Sequence, residues 1–311
     1  MDFGRLDAVD GLEFALPSSP SPMAGPLGAL KAGDGTTRIF IGAPAWGSRA
    51  FVGTIYPPGS AAREYLKHYS RQFDTVELNT MYYRIPDLET LVRWTNDTPA
   101  HFRFCLKFPR NLGAGRGHNR GQLNRFLEAI EVLGEKAGHS FLQLPGYYEF
   151  RNWDALRSFL DLLPFGMPYS VEFRHPSWFE DSRLRGGVFE ELMQRGIGAV
   201  VTDVAGRRDV LHMQITATEM LVRFVGNSGH SSDFMRLDQW ATQIAAWCRL
   251  PIKALYFIIH QPDEKQIGAT AAYLARSIEL HTGLSVRYPK MHRFPGEQGL
   301  LFADANHENQ T

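Results

Sequence analysis

TVELNT, residues 75–80, carries the pattern on which the fold turns. Successive side chains of a strand point to opposite faces. Val76 and Leu78 therefore share one face, and Glu77 and Asn79 share the other. The same two-faced strand recurs along the chain. In RFCLKF (103–108), Phe104, Leu106 and Phe108 oppose Cys105 and Lys107. In FLQLP (141–145), Leu142 and Leu144 oppose Gln143. In YSVEFR (169–174), Val171 and Phe173 oppose Glu172 and Arg174. In LVRFVG (221–226), Val222 and Phe224 oppose Arg223, and in ALYFIIH (254–260), Leu255, Phe257 and Ile259 oppose His260. GAVVTD (198–203) reads as Asp203 against Val200 and Thr202. With IFIGAPAW from Ile39, these make eight strand segments.

Amphipathic helical stretches separate them, starting near Ala61, Leu88, Gln122, Trp153, Arg185, Leu237 and Glu264. Alternating β and α units imply a parallel sheet with right-handed crossovers. Eight such units predict a single-domain α/β fold, a (β/α)8 TIM-like barrel. The alternative is an open doubly wound sheet. No GxGxxG follows the first strand, which argues against its nucleotide-binding form. The stretch between Asp203 and Leu221 is too irregular for an element to be assigned. Residues 1–37, rich in Pro, Gly, Ser and Ala from Leu16 onward, read as a flexible N-terminal arm. Residues 38–283 read as the barrel and 284–311 as a loosely held tail.

The chain has 311 residues, 44% hydrophobic and 21% charged, which suits a full-sized core. Lys plus Arg and Asp plus Glu are both 33, so no basic excess points to a nucleic-acid partner. An aromatic and cationic rim would nonetheless suit a flipped or single-stranded base. No apolar run reaches the ~18 residues of a membrane span. The acidic start MDFGRLDAVDG lacks the basic and apolar regions of a signal peptide. Cys105 and Cys248, each in an apolar segment, read as reduced buried thiols of a cytoplasmic protein.

The apolar strand faces should pack on outer helices, which sends the polar faces into the barrel. There, Lys107, Arg174 and Arg223 would meet Glu77, Glu172 and Asp203. Burying such groups without partners costs several kcal/mol each, so the set is paired, wet or shaped for a ligand. The C-terminal mouth of such a barrel is where active sites sit. The candidate catalytic residues are Glu77, Lys107, Glu172 and Asp203. Paired carboxylates suit acid–base or nucleophilic work of the kind used in glycoside hydrolysis. Lys107 suits a charged clamp better than Schiff-base chemistry, because neighbouring carboxylates favour its protonated form. Arg174 and Arg223 present planar forks for carboxylate or phosphate. His175 and Trp178 follow Arg174 in the next loop, and Trp46 and Trp178 could wall a ring or sugar. Asn79, Tyr82, Gln143 and His260 complete the candidate binding set. The structural alternative is a closed salt-bridge network. A metal held by Glu77, Glu172, Asp203, His175 and His260 is a further rival, weakened by three nearby cations. No metal or cofactor is expected. The expected partner is a small polar or anionic ligand, handled by a hydrolase, a lyase or a non-catalytic binding barrel.

These residues resemble the DUF72 family. Gly42 and Trp46 match its opening glycine and tryptophan. FDTVELNTMYYRIP (73–86) resembles its acidic-Asn-Tyr signature, and Trp94 with Thr98-Pro99 its next landmark. FRFCLKFP, FLQLP and VEFRHPSWF follow in order, then Asp203 and Arg223, covering about Arg38 to His281. The resemblance implies a TIM-like barrel and no established reaction. Two places depart from it. An Arg-Leu-His-Gly motif reads Arg223-Phe224-Val225-Gly226 here, and a pair of asparagines after the last strand is replaced by Ile259 and His260. The glycine-rich stretch 113–121 is also altered, with His118 in the place of a family histidine.

Overall fold

A computed structural model describes residues 4–18, 37–113, 119–180 and 182–291, for 182–186 the backbone alone. Nine parallel strands form one sheet: β1 Arg38–Ala43, β2 Thr75–Leu78, β3 Arg103–Lys107, β4 Ala137–Gln143, β5 Tyr169–Glu172, β6 Gly198–Ala199, β7 Val201–Asp203, β8 Glu219–Val225 and β9 Ala254–His260. Their spatial order is β6-β5-β4-β3-β2-β1-β9-β8-β7. Only Val200 separates β6 from β7, and its N–H donates to the Val171 carbonyl at 2.9 Å. The two short pieces are therefore one interrupted strand. Its first half pairs with β5 and its second with β8, which brings the ring round into a nearly closed barrel.

Helices α1 Tyr65–Gln72, α2 Thr80–Tyr83, α3 Leu88–Asp97, α4 Arg120–Leu133 and α5 Trp153–Leu160 cover the first half. Helices α6 Ser177–Glu180, α7 Ser182–Gln194, α8 Ser231–Trp247 and α9 Ile267–Thr282 cover the rest. Residues 204–218 carry one short 3-10 turn and no α-helix, so the unread stretch is irregular for a physical reason: β7 reaches β8 directly over the barrel's edge. The strand alternation sorts the core into two bodies. Val76, Phe104, Leu106, Leu142, Val201, Val222 and Phe257 pack against the helices. Phe40, Cys105, Phe141, Val200, Leu221, Tyr256 and Ile258 fill the barrel itself. That inner plug keeps water from the floor beneath the strand ends, where charges then interact strongly.

Two local devices hold the first strands. Gly42 lies so close to β2 that a Cβ there would sit 2.2 Å from the Thr75 carbonyl oxygen. Tyr69 of α1 places its hydroxyl between the same strands, accepting from the Ala43 N–H at 2.7 Å and donating to the Thr75 carbonyl at 2.8 Å. Cys105 and Cys248 are free and buried, as read.

The expected N-terminal arm requires a correction over residues 4–18. Val9 and Phe14 are buried with Ala205. The Leu16 N–H donates to Gln239 at 3.0 Å, and Arg208 donates to the carbonyls of Phe14 and Ala15 at 3.2 and 2.8 Å. Two apolar side chains with a cleft to enter outweigh the polar composition of the segment. Residues 19–36, where the Pro/Gly-rich reading was made, lie outside the described residues. The tail reading also changes near its start: Val286 is buried, and Arg287 pairs with Asp74 at 2.9 Å. Among the described residues, no helix is long and apolar enough to cross a membrane.

Candidate functional site

Arg223, fully buried on β8, is the centre of the mouth. Its Nε and Nη2 donate to the two oxygens of Glu77 at 2.9 Å each. Its Nη1 donates to both oxygens of Glu172, at 3.1 and 3.0 Å. Glu172 also accepts from Arg174 Nε at 2.8 Å, from Gln143 Nε2 at 2.7 Å and from Thr202 Oγ1 at 3.1 Å. Strand register explains the meeting. Gln143 stands beside Glu172, and Thr202 beside Arg223, so their inward side chains share one level.

Burial alone would raise both carboxyl groups. The guanidinium of Arg223, aided by His260, holds Glu77 well below the usual carboxylate range. Arg174 and then Arg223 hold Glu172 at about 2, against the same burial. Both are thus ionised near neutrality, with every oxygen accepting hydrogen bonds. His260 Nε2 lies 3.3 Å from Glu77 Oε2 and 3.3 Å from Arg223 Nη2. Burial pushes its imidazole down, towards the neutral form.

Lys107 closes one side of the ring. Its Nζ lies 4.2 Å from the centroid of the Tyr82 ring, 5.9 Å from that of Phe141 and 3.5 Å from Asn79 Oδ1. Asn79 in turn donates to the Pro44 carbonyl at 3.1 Å. Among the described residues, no carboxylate oxygen comes within 4.0 Å of Nζ. Burial pushes the amine down to about 8; Glu77 and Glu172 oppose this, while Arg223 and Arg174 assist it. The two carboxylates favour the charged form, in the direction expected, but burial outweighs them and leaves the amine closer to neutrality than an exposed lysine.

Four further predicted residues are elsewhere. Asp203 points outward to the helices: its carboxylate accepts from Arg236 Nε at 3.3 Å and Trp240 Nε1 at 2.7 Å, and it pairs with Arg236 Nη2 at 2.8 Å and with Arg208. The alternation in GAVVTD was read correctly, but the inward member is Thr202 and not the acid. Trp178 is 2% exposed, packed on Phe173 and Tyr148 with its Nε1 donating to the Tyr148 carbonyl at 2.7 Å. The tryptophan, on the short helix α6 and not in a loop, enters an apolar pocket instead of walling a ligand. Trp46 sets its ring edge-on to Trp94 at 5.0 Å and beside Phe104, in the layer between barrel and helices. His175 accepts the Ser177 N–H on Nδ1 at 3.2 Å within its own turn. Of the five residues considered for a metal, Glu77, Glu172 and His260 gather round the Arg223 guanidinium, while Asp203 and His175 are elsewhere. Among the described residues, no group of three His, Cys, Asp or Glu side chains is placed to hold an ion. His118 lies outside the described residues.

Thr202, Arg208, Arg236 and Trp240 were not read from the sequence. The period of GAVVTD contained the signal for Thr202, since it shares a face with Val200, which the interior plug claims. Nothing local marks Arg236 or Trp240 as partners of Asp203, more than 30 residues away. Gln261, beside the lost asparagine pair, donates to Asp233 at 3.1 Å and Thr270 at 3.0 Å, and so braces the loop before α8. A cavity of about 660 Å3 opens at the opposite end of the barrel, lined by His139, Met167, Arg195, Glu219 and Lys253 among others. The charged ring takes no part in it.

The model of the family described as "Protein of unknown function DUF72" matches residues 40–293. The chain belongs to the DUF72 family. It is 32% identical over 248 residues to the UPF0759 protein YecE of Escherichia coli, covering 73% of this chain and 88% of that protein. To the UPF0759 protein YunF of Bacillus subtilis it is 29% identical over 153 residues, 45% of this chain and 52% of that protein. A crystal structure of a DUF72 family protein from Enterococcus faecalis superposes with a TM-score of 0.62 at 18% identity, over 80% of this chain and 99% of that one. The barrel is thus the architecture of a DUF72 relative also. The family description names no reaction.

Proposed function

We propose that the mouth of this DUF72 barrel binds a small anionic molecule, and that the protein is an enzyme of lyase type. The charge balance of the ring carries the reading. With Asp203 turned to the helix layer, Lys107, Arg174 and Arg223 face Glu77 and Glu172, while burial pushes His260 towards its neutral form. Three cations meet two carboxylates among the described inward residues, and an anionic ligand offsets the excess positive charge above a buried apolar floor. Lys107 is the cation that such an anion meets, since Arg223 is committed to both glutamates.

The lyase reading is preferred to the hydrolase for one reason. Glycoside hydrolysis by a carboxyl pair needs one partner protonated. Here arginines hold both carboxylates ionised. The group able to exchange a proton near neutrality is the Lys107 amine.

The test compares malonate with malonamide, which has the same skeleton without charge. Malonate is expected to raise the melting temperature of the wild type and not of Lys107→Met; malonamide should leave both unchanged. Equal shifts from the two compounds, or a malonate shift that survives Lys107→Met, would overturn the reading.

A further inference from the structure

The geometry points to Lys107 as a nucleophile that forms an imine with a small oxo acid, a carboxylate bearing an aldehyde or ketone carbon. The inference rests on the anionic-ligand reading of the same mouth and names its substrate class.

A lysine reacts with a carbonyl only as the neutral amine, which in proteins requires desolvation or nearby cations, and freedom from an ion pair. Lys107 meets each condition. The side chain is 5% exposed. Its Nζ sits over the Tyr82 ring, and among the described residues its one hydrogen bond, to Asn79 Oδ1, is long at 3.5 Å. The carboxylates that could hold it as an ammonium are occupied by Arg223 and Arg174. With the amine near 8, roughly a tenth is neutral at pH 7.

The reaction balances without an added oxidant or reductant. The Nζ lone pair attacks the carbonyl carbon and gives a carbinolamine. The former carbonyl oxygen takes one proton from nitrogen and one from solvent and leaves as water, so a C=N bond replaces C=O. The iminium product carries the positive charge that the ammonium carried, so the balance with Glu77, Glu172 and the substrate carboxylate is kept. The iminium then draws electrons from the bond beside it, which is the step a lyase needs.

The experiment incubates the full chain with pyruvate or glyoxylate, reduces with borohydride and maps the peptides by mass spectrometry. Hydride adds to the iminium carbon and fixes a secondary amine. Its mass gain equals that of the oxo acid less one oxygen atom. The expected result is a mark concentrated on Lys107, suppressed by malonate and lost from that position in Lys107→Arg, which keeps the charge but not the nucleophile. Malonate binding measured by calorimetry, together with labelling spread evenly over surface lysines, would overturn the imine and leave the anion site standing. Absence of both malonate binding and labelling at Lys107 would remove both.

Discussion

Arg223 separates two carboxylates that would otherwise repel each other in a dry interior, and each of them depends on it to different degrees. Glu77 has Arg223 and His260, whereas Glu172 also has Arg174, Gln143 and Thr202. Arg223→Met is therefore expected to lower unfolding free energy by at least ~3–5 kcal/mol, the usual cost of stranding buried charge. Arg174→Met should cost less, about 1.5–3 kcal/mol, since Glu172 retains three donors. Urea denaturation of the two variants decides it, and equal losses would contradict the ranking. The ring also sets an acid limit. Glu172 titrates at about 2 when folded, below its ordinary 4.5. Its contribution is complete above that ordinary value and is lost as pH falls towards 2, because the unfolded chain binds the proton first. Stability of the wild type should fall through this window, more steeply than that of Glu172→Gln. Identical slopes in acid denaturation would remove Glu172 from the account.

The sixth strand shows what period-two alternation can and cannot reveal. The alternation in TVELNT, RFCLKF, YSVEFR and LVRFVG assigned Glu77, Lys107, Glu172 and Arg223 to the inner face because their neighbours are large and apolar. In GAVVTD both faces carry valine, so the polarity of Asp203 decided the reading, and wrongly. Only α8, which brings Arg236 and Trp240 behind the strand, makes an outward carboxylate acceptable there. Asp203→Asn should cost about 3 kcal/mol by weakening a buried charge pair, yet leave malonate affinity unchanged; a lost affinity would return Asp203 to the mouth. Trp46 and Trp178 were misread for a related reason, since sequence shows a tryptophan but not the pocket that receives it. The N-terminal segment belongs at this scale also. Phe14 lies 5.8 Å below the guanidinium carbon of Arg208 and 5.4 Å from that of Arg236, both partners of Asp203. Removing residues 1–18 is expected to destabilise the chain by about 2–4 kcal/mol, from one buried aromatic and its cation contacts. Coincident melting curves for the full and shortened chains would contradict that anchoring.

Over the whole molecule, the parallel ring turns a property of single strands into a property of one surface. All strand C-termini point the same way, so inward polar residues near those ends converge, and the apolar plug of Phe40, Phe141, Leu221 and Tyr256 beneath them keeps the charges in a medium where they matter. That convergence was legible in the sequence. The charge balance was not, because one outward aspartate changes a neutral set into one with an excess cation. The central question for the molecule is whether the mouth attracts an anion through Lys107. Titration calorimetry of malonate into the wild type, Lys107→Met and Asp203→Asn measures this directly. Binding to the wild type and to Asp203→Asn, with at least a tenfold loss in Lys107→Met (about 1.4 kcal/mol), is the expected result. Undiminished binding to Lys107→Met, or no binding to the folded wild type, would contradict it.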